Sequence, residues 1–185
     1  MLESKHLTLS ELEQGLNEIC QSLQDEGVLK MIVRRPALGE HEILQEVELN
    51  LEEGIAGDNW KTRGSSSTPD GSAHPDKQVT LMNARVIALV AREQARWQLA
   101  GDQLLVDLDL SADNLPAGTM LEIGSAVIQV TAQPHTGCQK FVERFGVDAL
   151  KFVSTVVGKQ MRLRGMNAKV VQAGVIRVGD VVRKI

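Results

Sequence analysis

The period of apolar and polar positions changes along the chain, and each change predicts an element. In "LTLSELEQGLNEICQSLQDEG", Leu9, Leu12, Leu16, Ile19 and Leu23 recur at alternating spacings of three and four, one apolar stripe on a helix. Thr8 and Glu11 form a capping-box pattern, Leu7 and Leu12 suit a hydrophobic staple, and Gly27 suits the helix end. The stripe either covers the protein's own core or forms a seam with a second copy, so a homodimer stays open. Cys20, beside the stripe, reads as a small buried apolar residue.

From Val28 the runs shorten. "VLKMIVRRPALGEHEILQEVELNLEEG" reads as two strands around a Pro-Ala-Leu-Gly loop, "GIAGDNW" as a turn, and Lys61 to Lys77 as a long polar loop, disordered or a flap over a site. Lys61, Arg63 and Lys77 in that loop are either solvated charges or contacts for an anion. "QVTLMNARVIALVAREQARWQLAG" predicts a strand that feeds, through an Asn83 cap, a helix running toward Gly101. "MLEIGSAVIQV" predicts a hairpin turning at Gly124-Ser125, and "AKVVQAGVIRVGDVVRKI" more short strands. The expected fold is mainly β with peripheral helices, an α+β chain whose sheet curls into a barrel. Residues 1–27 are expected as an amphipathic helix appended to a core spanning 28–185.

Composition then removes several classes of function. In 185 residues, 43% hydrophobic content is enough for one core. The net charge is -4 with both signs mixed, so there is no basic stripe for nucleic acid. No window approaches the roughly 18 apolar residues of a membrane span, and the N-terminus lacks a signal-peptide pattern, so the expected location is cytoplasmic. The two cysteines, Cys20 and Cys138, belong to no CxxC pair, which argues against a disulfide framework or a structural zinc site.

"PHTGCQKF" is the stretch with candidate chemistry. The segment after it, with Phe141, Phe145 and Leu150 among polar residues, predicts one or two helices broken near Gly146, which puts Cys138 near a helix N-terminus. There, Lys140, Arg144 and a protonated His135 would favour a thiolate, a nucleophile for sulfur and a soft ligand for a transition metal. The bland reading, a buried cysteine packed as a small apolar residue, carries equal weight on spacing alone.

Taken in order, "GIAGDNW", "KQVTLMNARVIAL", "DLDLSADNLPAGTMLEIGSAVIQVT", "PHTGCQKF" and "RLRGMNAKVVQAGVIRVGDVV" resemble the MOSC domain, named for the C-terminal domain of molybdenum cofactor sulfurases. The resemblance covers the chain from about Val28 to the end and implies a β-rich, barrel-like fold. It implies that Cys138 is the catalytic residue and the metal ligand, carrying sulfur as a persulfide or ligating the molybdenum of a bound molybdopterin cofactor. It further implies that Gly57, Asp58, Asn114, Arg162 and Arg164 lie near the cofactor pocket; Lys61, Arg63, His135 and Lys140 join them as candidate cofactor-binding residues. The sulfurases' desulfurase domain has no counterpart here, so the implied partner is a separate cysteine desulfurase, or a separate reductase if the protein reduces N-hydroxylated compounds with bound molybdenum. A non-catalytic barrel is the third reading.

Overall fold

The structure, a computed structural model, describes residues 6–185, so the first five residues of the expected 1–27 segment lie outside it. The N-terminal stripe forms two short helices rather than one, α1 (Leu9–Gln14) and α2 (Leu16–Cys20). The Thr8/Glu11 capping box is present: Thr8 N–H donates to Glu11 Oε2 at 2.7 Å, and Glu11 N–H to Thr8 Oγ1 at 3.3 Å. The break falls at Gly15, whose bare Cα packs against the Leu89 side chain, where a Cβ would lie 2.6 Å from Leu89 Cδ2. Gly27 does not end a helix; it lies within β1 (Glu26–Arg34), paired with Val182. Leu12 and Ile19 are buried in the protein's own core, so the stripe faces inward, while Leu23 stays 44% exposed. Cys20 is exposed, not buried, because it sits off that inward face.

After β1 come β2 (Glu42–Leu44), β3 (Glu46–Asn50), β4 (Gly54–Ile55), α3 (Trp60–Arg63) and β5 (Val79–Asn83). Asn83 caps α4 (Ala84–Ala91) through its side-chain oxygen, 2.8 Å from Arg85 N. The expected helix to Gly101 stops at Ala91: Arg92 turns to φ 64°, and a 3-10 segment over Gln94–Ala100 leads to β6 (Leu104–Asp107). The hairpin β7 (Met120–Ile123) and β8 (Ala126–Val130) turns at Gly124-Ser125, with Leu121 and Ile123 buried as the alternation requires. Three helices follow, α5 (Gln139–Phe145), α6 (Val147–Ser154) and α7 (Val156–Gln160), then β9 (Met166–Gln172), β10 (Gly174–Arg177) and β11 (Val181–Lys184).

Seven strands close into a barrel in the order β1, β11, β7, β8, β9, β5, β6 and back to β1. Every pair is antiparallel except β5 and β6, whose parallel register needs the crossover that α4 supplies. β2 extends β1 beyond the closed ring, and β10, β3 and β4 form a separate small sheet. A register shift between Leu29 and Met31 bends β1, so Leu29 and Ile32 face the barrel interior while Met31 and Val33 face outward. The interior is filled by residues such as Leu81, Leu104, Leu121, Ile128 and Val182. A second apolar layer joins the outward Met31, Val33, Met82 and Leu105 to the helices, with Phe141, Phe145 and Phe152 at its centre.

Because Leu12 is buried in that outer layer at 1% exposure, Leu12→Ala should cost about 2–5 kcal/mol of stability. Urea unfolding measures it, and a loss below about 1 kcal/mol would place α1 outside the cooperative fold.

Candidate functional site

The end of β1, the starts of β5 and β6, the first residues of β9 and the chain leaving β8 meet on one side of the barrel. Over it lies a cleft of about 330 Å³. Its walls carry Arg35, Arg63, Lys77, Lys140, Arg144 and Arg164, against one carboxylate, Glu40. In a chain with net charge -4 this is a local concentration of positive charge, suited to attract an anion.

Two of the cations are fixed by buried carboxylates. Arg35 makes a fork with Asp58, Nε to Oδ2 at 3.1 Å and Nη2 to Oδ1 at 3.0 Å, and donates from Nη1 to the Gly101 carbonyl at 3.1 Å. Burial alone raises the Asp58 pKa, but hydrogen bonds and charge from Arg35 outweigh it and hold the carboxyl below its ordinary range. Arg164 donates to Asp102 Oδ2 at 2.6 Å and to the Ala100 carbonyl at 3.1 Å; Asp102 is fully buried. The Arg164 guanidinium stacks over the Phe141 ring at 4.8 Å, and Phe141 lies in the first turn of α5, the helix that Cys138 opens.

The segment from β8 to α5 carries the thiol. Asn167 in β9 donates its side-chain amide to the carbonyls of Gln133 at 3.1 Å and Pro134 at 3.2 Å, pinning the approach. Gly137 passes so close to α6 that a Cβ there would overlap the end of the Leu150 side chain and push it aside. Cys138 occupies the N-cap position, its carbonyl accepting from Phe141 N at 3.0 Å, while its side chain makes no capping bond. The thiol is exposed and lines the cleft, so the buried reading does not apply.

His135 is not held in the protonated form that would favour a thiolate. Burial of the imidazole pushes its pKa down from 6.5 to about 4, Arg164, Arg35 and Lys77 add to the fall, and Asp102 opposes it. Its Nδ1 lies 3.2 Å from Asp102 Oδ1 without hydrogen-bond alignment. The ring therefore enters the site as a neutral imidazole. His41 on the facing wall is lowered too, first by burial and then by Arg144, Arg35 and Lys140.

Of the expected site residues, Cys138, His135, Lys140, Arg63 and Arg164 line the cleft. Asp58 stands one layer behind, holding Arg35, and Gly57 packs beneath the Arg34 side chain. Lys61 points away and pairs with Glu52 at 3.5 Å. Asn114 is committed to structure: its amide bridges the carbonyls of Gln24 and Asp109, and its oxygen accepts from Lys184. Arg162 lines a neighbouring cleft that Arg164 and His135 share. The sequence reading missed Arg35, Asp102, His41 and Asn167; the Arg-Pro step ending β1 and the Gly-Asp pair before β6 were the available signals.

A family model for the MOSC domain matches residues 68–183. The chain belongs to the MOSC domain family. This family is associated with molybdenum-cofactor-related proteins. Solved structures share the fold beyond the matched span. The YuaD protein from Bacillus subtilis superimposes with TM-score 0.63 at 14% identity, over 85% of this chain and 94% of that one. YiiM from Escherichia coli gives 0.55 at 19% identity, over 85% and 69%, and YiiM from Geobacillus stearothermophilus gives 0.52 at 17%, over 89% and 74%. No curated protein matches the chain significantly. At these identities the solved structures establish the fold alone, and the site chemistry rests on the residues themselves.

The depressed His135 pKa links stability to pH. The unfolded chain takes up this proton near 6.5 and the folded chain only near 4, so the contribution is complete above 6.5 and is lost as pH falls toward 4. The loss is at most about 3 kcal/mol, at about 1.4 kcal/mol per pKa unit. Urea midpoints should fall between pH 7 and pH 4, and His135→Gln should flatten that fall; an unchanged pH slope in the variant would show that His135 does not carry the linkage.

Proposed function

We propose that this MOSC protein holds a molybdopterin-type cofactor in the rim cleft, with the Cys138 thiol as the protein's ligand to its metal. The observation that supports this is an exposed thiol on a pocket wall with six cationic side chains and one carboxylate. Among the described residues no group of three His, Cys, Asp or Glu side chains could hold a bare metal ion. A metal that arrives within its own organic ligand needs only one protein donor, and a soft thiolate suits molybdenum. The residues present fit such a group: about 330 Å³ lies within the range of small-molecule sites, and Arg35 and Arg164 offer guanidinium groups fixed in advance for an anionic oxygen. When bound, the cofactor would supply redox chemistry at its metal. The chain's own part is to place the thiol through Gly137 and Asn167 and to keep His135 neutral beside it. Reduction of N-hydroxylated compounds is the reaction this arrangement would support, with electrons from a separate reductase.

The openness of the thiol favours a second use of the same residue. Cys138 thiolate would attack the outer sulfur of a desulfurase's cysteine persulfide, the donor's thiolate would leave, and Cys138 would retain the sulfur as its own persulfide. Both roles fit a reducing cytoplasmic setting, where an exposed thiol stays free.

Purification from a host that makes the cofactor, with Cys138→Ala alongside, separates the readings. Near-stoichiometric molybdenum and pterin that fall at least about tenfold in Cys138→Ala would support the ligand role, as loss of one essential metal donor requires. Absence of metal in both, together with a one-sulfur mass increase on Cys138 after exposure to desulfurase and cysteine, would replace it with sulfur carriage.

A further inference from the structure

Behind the wall formed by Pro134, His135 and Thr136 lies a second cleft of about 430 Å³. Its basic side chains are Lys159, Arg162 and Arg164, and no carboxylate lines it. Arg164 is already paired with Asp102. Arg162 and Lys159 are not: neither forms a salt bridge with any carboxylate among the described residues.

Arg162 is an unusual residue to leave in this state. It is half-buried and sits at φ 49°, one of two non-glycine residues with positive φ among those described. That conformation is strained for a residue with a side chain, so glycine would be the easier choice at this turn. One nitrogen, Nη1, donates to the carbonyls of Leu110 at 3.3 Å and Leu115 at 2.7 Å, which fixes the guanidinium in place. Nε and Nη2 make no hydrogen bond to any of the described residues, leaving donors for a further acceptor. Burial lowers the Arg162 pKa with no carboxylate to offset it. A fixed, half-buried cation without a counter-ion costs stability unless something else supplies the negative charge.

We propose that the second cleft is a binding site for a phosphate group, held between Arg162 and Lys159. Two uncompensated cations match a dianion, and the guanidinium fork with a flexible ammonium beside it is a common pairing for phosphate oxygens. Val153, Met166 and Pro134 give the cleft an apolar side, so the ligand class is a small organic phosphate whose carbon body lies against them. The family resemblance implied a place for Arg162 near the cofactor pocket, but neither Arg162 nor Lys159 lines the Cys138 cleft, and the test of this site requires neither metal nor thiol.

The test is a titration of inorganic phosphate into the isotope-labelled chain, followed by amide chemical shifts. Saturable shifts are expected at Gly158, Lys159 and Gly165, with affinity reduced about tenfold or more in Arg162→Gln or Lys159→Gln, as loss of a charge-assisted contact predicts. Arg63→Gln, in the other cleft, should leave these shifts unchanged. Should Arg162→Gln fail to fold for want of its carbonyl contacts, the exposed Lys159→Gln decides the matter alone. Acetate should bind at least about tenfold more weakly than phosphate, since it offers one charge to two cations. Shifts confined to the Cys138 cleft, equal affinity in wild type and Lys159→Gln, or equal binding of acetate and phosphate would each overturn the assignment.

Discussion

The buried carboxylate of Asp102 is the constraint on which the rim depends. It has no exposure to water, so its charge must be met inside the protein, and Arg164 meets it at 2.6 Å. Arg164 in turn stacks on Phe141, whose ring packs against Phe145 at 5.0 Å in the outer apolar layer. The pair therefore joins the start of β6, the turn before β9 and the first turn of α5. Removing either partner leaves a buried charge unmatched, the costly way to break such a pair. Replacing both by apolar groups would spare stability but would remove a fixed cation from the cleft. The pair is better understood as a means of holding a guanidinium in position than as a source of stability.

Asp58 repeats the arrangement across the cleft by accepting three hydrogen bonds from Arg35, two from its guanidinium and one from its backbone N–H. The barrel is the reason both can exist. Its closed ladder satisfies the strand backbones, and its interior is apolar throughout, so charged groups collect at the rim where strands end. Held arginines lose little freedom when an anion arrives, which makes them more effective than the surface lysines of a loop. Lys61 illustrates the contrast: it belongs to the same basic stretch of sequence as Arg63, yet its Glu52 partner takes it away from the cleft.

Much of the fold was legible in the sequence because its signals are local. The capping box at Thr8, the Asn83 cap, the hairpin at Gly124-Ser125 and the terminal strands all depend on neighbours a few residues apart. The errors share a cause as well. The stripe from Leu9 to Leu23 continues past Gly15 in sequence, but the helix breaks there, where the Leu89 side chain of α4 packs against the bare Cα. Cys20 was misplaced because the stripe fixes which face is apolar only within one unbroken helix. At the site, Cys138 announced itself through Thr-Gly-Cys, whereas Arg35 and Asp102 acquire meaning only from partners 23 and 62 residues away.

His135 shows how far sequence proximity can mislead about charge. Three residues from Cys138, it would support a thiolate if protonated, and the basic residues around it were read as help for that role. Burial disfavours a proton on the ring, and Arg164, Arg35 and Lys77, different residues from Lys140 and Arg144, repel it further, so the cluster that favours an anion in the cleft also keeps the imidazole neutral. Any anion that binds near Arg164 and Arg35 weakens that repulsion and makes a proton on His135 less costly. Anion binding and proton uptake are thereby coupled at this rim, and the coupling follows from the placement of charges whichever anion enters.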